Sequence, residues 1–343
     1  MSHKFKPPKP AGKKVKQMHL PRARIGLPPV NMERAQQVIG KLAREGSFKS
    51  VDELNAHLER LMASGELDRM LNAAPEGPVE QAQALVQRAR GEPSRPKARK
   101  LAEQALKLDP NCVDAMMIRA QTRTLSPEEY IEEVRAAVRA GESGLGEARF
   151  REDRGRFWGL LETRPYMGAR CELAMALTGA GEWRQAAEEF EALLELNPND
   201  NQGVRDYLLG LYLALNELDR AASLCHQAAS LCHQYEEDGS AVFAWGRVFL
   251  LMLRGKRGEA LGALEQAFRT NPWTAKVLFS GSAPHDPPSW GIGDQDEGEH
   301  GAVVLLPAAI EHPDVVVWVA KEAIGVMKRI IDTPAPRSAP RIH

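Results

Sequence analysis

Three stretches of this 343-residue chain end in the same way: residues 98–110 read ARKLAEQALKLDP, 185–198 read QAAEEFEALLELNP, and 258–272 read GEALGALEQAFRTNP. Each sets alanines among longer apolar residues at helical spacing and closes on Asp-Pro or Asn-Pro. Apolar residues three and four apart form one face of a helix. Alanines on that face let a second helix approach closely. The proline then ends the helix, because it cannot continue the hydrogen-bond ladder. A chain that repeats this unit is built from helices stacked on helices. Composition agrees, since aromatics are only 6% and Ala, Leu, Glu and Arg recur, whereas sheets lean on β-branched and aromatic residues.

The endings fit the 34-residue tetratricopeptide pattern, with small residues at positions 20 and 27 and proline at 32. Setting Pro198 at 32 puts Ala186 at 20, Phe190 at 24 and Gly181 at 15. Setting Pro272 there puts Ala260 at 20, Ala267 at 27 and Gly255 at 15, and Pro110 does the same with Ala98 and Ala105. Between them, Val113–Gln121 and Asn201–Leu215 read as first helices of pairs. Ser126 with Glu129 makes a capping box around Pro127, and Ser50 with Glu53 caps a helix over 51–62. The expected fold is all-α: a solenoid of tetratricopeptide-type helical hairpins with atypical helices at both ends.

Charge divides the chain. Residues 1–25 hold eight of the 45 lysines and arginines and no acid, leaving 37 basic against 46 acidic residues in the remainder. An acidic body is no nucleic-acid-binding domain, but the arm over 4–24 could touch RNA. The expected layout is a disordered basic arm (1–30), N-terminal helices (31–90), the repeat solenoid (91–275), an acidic loop with C-terminal helices (276–331) and a disordered tail (332–343). The basic start is followed by no apolar stretch, and the apolar runs are too short to cross a bilayer. Four cysteines in a chain this long make no disulfide framework. A cytoplasmic protein without a membrane segment is the simplest expectation.

No phosphate-binding GxxxxGK[ST], HExxH, CxxC or GxSxG pattern occurs, so neither catalysis nor a cofactor is implied. Two stretches carry more chemistry than packing requires. In REDRGRFWGLLETRPYM (151–167), Phe157 and Trp158 read as core anchors and Pro165 starts the next helix. Glu162, Arg164 and Tyr166 remain, with Arg170 one turn on. In NPNDNQGVR (197–205), Asn199, Asp200 and Asn201 are natural helix caps, and Arg205 projects from a first helix. First helices of stacked hairpins line the groove. The expectation is therefore a partner-binding surface of Glu162, Arg164, Tyr166, Arg170, Asn201, Arg205 and Trp245 that holds a carboxylate-bearing peptide or protein segment. The competing reading is an internal network in which Glu162 or Asp153 neutralises the arginines.

Two features suggest metal and carry it poorly. ASLCHQA (222–228) and ASLCHQY (229–235) form a tandem heptad, but residues seven apart on a helix lie about 10 Å apart along its axis. Residues 281–300 are rich in Gly, Pro and acids and read as a surface loop, with His300 beside Asp294, Asp296, Glu297 and Glu299. Such acids in a loop are ordinarily solvated.

A resemblance rests on DPNCVDAMMIRA, AGESGLGEARF, GRFWGLLETRPYMGAR, NPNDNQGVR and AFRTNPW, in that order. These blocks resemble bacterial tetratricopeptide proteins similar to the eukaryotic suppression of tumorigenicity seven family, over roughly residues 80–275. Gly168 stands where those proteins usually have Arg, and WTAKVLFSG replaces their Tyr-Leu-Leu continuation. The resemblance implies the repeat fold and no reaction. The resulting expectation is a non-catalytic interaction scaffold; the alternative is an RNA- or ribosome-associated factor using the basic arm.

Overall fold

A computed structural model describes residues 50–332, except 73, 74, 76, 233–239, 281–285 and 288, together with 38, 39, 42, 46 and 48. The basic arm, the tail beyond Asp332 and His233 of the tandem heptad lie outside the described residues.

Among the described residues the chain is all-α, with fifteen helices and no strand. Two short helices, α1 (Val51–Ala63) and α2 (Glu66–Asn72), come first. They are followed by α3 (Gly77–Gly91), α4 (Arg95–Leu108), α5 (Val113–Thr122) and α6 (Pro127–Glu152). Two single 3-10 turns, Phe157–Gly159 and Leu161–Thr163, lead into α7 (Arg164–Ala180) and α8 (Trp183–Leu196). Then come α9 (Val204–Ala214), α10 (Leu218–Cys232), α11 (Ala241–Leu253), α12 (Arg257–Thr270) and α13 (Trp273–Ser280). The last two are α14 (Gln295–Glu311) and α15 (Pro313–Asp332).

The punctuation read from the sequence sits at the helix ends. Pro110, Pro198 and Pro272 each follow a helix by one cap residue. Gly181 (φ 83°) and Gly255 (φ 71°) take the left-handed conformation that turns a first helix into its partner. Ser126 and Glu129 form a reciprocal capping box, and Ser50 accepts from the Glu53 amide. The alanines at the tight positions, Ala98, Ala105, Ala186, Ala260 and Ala267, are all buried. From α3 to α12 each helix packs on the next, as short loops between amphipathic helices require. First helices also touch one another, α3 with α5, α5 with α7 and α9 with α11, while α7 and α9 make little direct contact.

The C-terminal segment departs from expectation. Residues 295–311, expected in part as surface loop, form α14, and Glu297, Gly298 and His300 are buried. The reason lies in Asp294, whose carboxylate accepts from the Glu297 amide at 2.7 Å and caps the helix. Asp296 and Glu297 then lie in the first turn, where the helix dipole favours negative charge. The helix turns back to lie along α9, α11 and α13 rather than extending the stack. Val304, Leu305 and Ala308 of α14, with Val315, Val319 and Val326 of α15, belong to the same apolar core as α5 to α12. A smaller core under α3, α4 and α5 contains Ala82, Val86, Ala102, Ala105, Cys112 and Ala115.

Candidate functional site

The two chemistry-rich stretches meet in space. Gln202 donates from Nε2 to the Met167 carbonyl at 3.3 Å, and Arg154 pairs at 2.6 Å with Glu195, at the end of the helix that leads into the second stretch. This junction lies where α7 and α9 part company.

Much of the expected site is an internal network. Tyr166 is 1% exposed, ringed by Phe150 and Phe157. Its hydroxyl donates to Glu142 Oε1 (3.2 Å) and accepts from Arg170 Nη1 (2.6 Å). Burial raises its pKa despite the Arg170 charge. Arg170 also donates from Nε to Glu189 at 2.6 Å. Glu162 accepts from Arg149 (3.2 Å), which also holds Asp153 (2.7 Å), and Asp153 takes Arg156 as well (2.8 Å). Expecting Tyr166 to present itself on a surface is therefore corrected: its ring is core, and its polar tip positions Arg170. Glu142 and Glu189 complete this network, and neither stands out in the sequence, because each is one glutamate among many on a helix.

On the α9 side, Asp200 (φ 52°) caps the helix by accepting from the Val204 and Arg205 amides at 2.8 and 3.0 Å. Burial raises its pKa, the two amides and Arg205 working against that. Arg205 turns back on its own loop, donating to the Pro198 carbonyl at 2.7 Å with Asp200 3.5 Å away. Asn201 is exposed in the turn. Trp245 is 1% exposed, donates from Nε1 to the Asn271 carbonyl (2.8 Å) and packs edge-on against Phe268. It is corrected from a surface residue to a core residue, covered from the sides of α12, α13 and α15. The face of α9 that a bound segment would use is taken by α14.

Three polar anchors hold α14 there. His300, 2% exposed, sets Nδ1 2.8 Å from Asp286 and Nε2 3.2 Å from Asp206 of α9. Tyr207 donates to the other Asp286 oxygen at 2.7 Å, and Trp290 stacks on the imidazole at 4.1 Å. Burial opposes charge on His300, but the two aspartates together outweigh it and push the pKa up to about 9. Both ring nitrogens are engaged, so this histidine holds a clamp and has no nitrogen free for substrate. Glu297 supplies the second anchor, accepting from the Ala241 amide at the start of α11, from Gly293 and from Asn271 Nδ2. The third is His312, which contacts the Leu213 carbonyl at 3.0 Å. The capping signal Asp294-x-x-Glu297 before AVVLLPAAI was visible in the sequence. The aspartate partners of His300 were not, because they lie 14 and 94 residues away. Among the described residues no group of three or more His, Cys, Asp or Glu is placed to hold a metal.

What remains open is one face of α7. Arg164, Gly168, Cys171 and Met175 recur at helical spacing and are partly exposed. A Cβ at Gly168 would meet nothing within 4 Å. Burial pushes the Cys171 thiol up to about 12, so it behaves as a small apolar group. Arg164 donates from Nε to the Trp158 carbonyl (3.0 Å) with its guanidinium 5.3 Å from the Trp158 ring centroid. Trp158 is thus a platform as much as an anchor. Among the described residues Arg164 has no carboxylate partner, in contrast to Arg149, Arg156, Arg170 and Arg205. No family model and no curated protein matches the chain. Among the described residues no single helix is long and apolar enough to cross a membrane.

Proposed function

We propose that the protein is a non-catalytic interaction module of tetratricopeptide-type hairpins, which holds an acidic segment of a partner protein along α7. The observation that carries this is Arg164: a cation fixed over Trp158, its Nε used and its terminal nitrogens without a carboxylate. A planar guanidinium in that state suits a carboxylate supplied from outside. Gly168, Cys171 and Met175 continue from it as a shallow small-to-apolar strip. Preorganised side chains on packed helices reduce the ordering cost of binding, and the role requires no catalytic group. The seating of α14 on α9 and α11 supports the same reading, because it is helix recognition performed within one chain.

The test is site-specific photo-crosslinking in the native cell. A crosslinker at Gly168 or Met175 captures a discrete protein partner, and one at exposed Arg247 on α11 does not. Equal capture at both places, or none on α7, removes the reading.

A further inference from the structure

The last helix carries an apolar face that no other described residue covers. On α15, Val315, Val319 and Val326 point into the core, and Arg329 pairs with Glu265 of α12. A second apolar line runs beside that one and faces solvent. Val317 is 52% exposed, Ile324 80%, Met327 50% and Ile331 76%. Exposed Ala320 falls between the first two. The spacing 317, 320, 324, 327, 331 is the alternating three-and-four of a helix-pairing seam. Single exposed leucines or valines need no explanation, whereas an aligned row of large aliphatic groups does.

The row is complementary to itself in one orientation. Laid antiparallel against a copy, Ala320 meets the partner's Ile324, so the smallest seam residue faces one of the largest, and symmetry repeats the contact. Val317 then meets the partner's Met327, and Ile331 reaches the partner's Pro313. In this register the flanking positions bring Asp314 beside the partner's Lys328, twice by symmetry. Asp314, Lys321 and Lys328 are exposed, and none has an ion pair among the described residues. Lys321 lies near the partner's Lys321 across the axis, an exposed contact that water and side-chain freedom relieve. A parallel pairing offers nothing comparable, because the positions facing Lys321 and Lys328 would be the apolar residues Val316 and Ala323.

We propose that α15 is a homodimerisation helix, joining two copies of this chain through an antiparallel, two-fold seam of Val317, Ala320, Ile324, Met327 and Ile331. The seam is small, so the dimer is reversible and concentration-dependent. Isologous two-fold pairing is also the commonest way for one surface to complement itself.

Analytical ultracentrifugation of the full chain over a concentration series tests this. The wild type shifts from monomer to dimer. Ile324→Glu raises the dissociation constant at least tenfold with an unchanged melting curve, since the residue is exposed. The charge pair provides a control that does not depend on removing apolar surface. Asp314→Lys alone and Lys328→Asp alone each weaken self-association, while mixing the two variants restores it, because each chain then meets opposite charge at both ends. A wild type that stays monomeric throughout overturns the proposal. So does a mixture that associates no better than its components. Co-sedimentation of monomeric wild type with phosphatidylglycerol vesicles, lost in Ile324→Glu, would assign the seam to a lipid surface and likewise overturn it.

Discussion

Gly210 of α9 lies directly against the Val304 carbonyl of α14: a Cβ at position 210 would sit 1.9 Å from that oxygen. The obstacle is backbone, which cannot rotate away as a side chain can. Gly210→Ala therefore forces α14 off α9 and costs about 2–3 kcal/mol of stability. Gly262 on α12 is the matched control, helical and with nothing within 4 Å of an added Cβ. Gly262→Ala is expected to be neutral or stabilising by up to about 1 kcal/mol. Denaturant unfolding of the two variants against wild type measures both, and equal midpoints for all three would refute the close approach.

The clamp at His300 makes stability depend on pH in the alkaline range. Its folded pKa of about 9 lies above the unfolded value of 6.5. The folded state thus binds the proton more tightly, and the contribution is complete below pH 6.5. It declines as pH rises from 6.5 and is gone once pH passes 9. Its size is on the order of 3 kcal/mol. Unfolding free energy measured from pH 6 to 10 should fall for wild type and fall much less for His300→Gln. Parallel curves for the two proteins would mean the imidazole is neutral in the fold.

Glu297 is a second buried group whose replacement is informative. Its two oxygens receive three N–H donors, from Ala241, Gly293 and Asn271. Glu297→Ala strands those donors and costs on the order of 3–5 kcal/mol. Glu297→Gln is also costly, about 1–3 kcal/mol, because either amide orientation turns an NH2 toward an existing donor. Thermal melts check both, and a neutral Gln variant would show that the carboxylate is not what joins α11, α12 and α14.

What the sequence made legible follows how far apart the interacting residues lie. Prolines 110, 198 and 272, the glycines at 181 and 255, and the Ser126–Glu129 box act within a turn or two of themselves, and all were readable. The reversal of α14 onto α9 was not, because its determinants are remote pairs: Gly210 with Val304, Asp206 with His300, Ala241 with Glu297. Gly- and acid-rich composition over 281–300 pointed to a loop, and the Asp294 cap inside it carried the contrary signal. The same limit applied to the site. Arg164, Arg170 and Arg205 are alike in sequence. Only their neighbours separate the one without a carboxylate from the two that are neutralised.

That separation gives the sharpest prediction about binding. Arg170 is tied to Glu189 and Tyr166, and Arg205 to Asp200 and the Pro198 carbonyl, so both serve the fold. Among the described residues Arg164 is held by Trp158 alone, through Nε to its carbonyl and the guanidinium over its ring, with no carboxylate. Arg164→Gln should lower capture of the α7 partner at least tenfold, since a charge-assisted carboxylate contact is worth about 1.5–3 kcal/mol. Its melting temperature should stay near wild type. Arg205→Gln should do the reverse, loosening the start of α9 while leaving capture unchanged. Arg164→Lys separates the forked guanidinium from charge alone, and only partial recovery is expected because an ammonium cannot make the paired contact. The readout is quantitative crosslinking from position 168 beside thermal melts of the same preparations. Loss of capture in Arg205→Gln with none in Arg164→Gln would move the binding surface from α7 to the loop before α9.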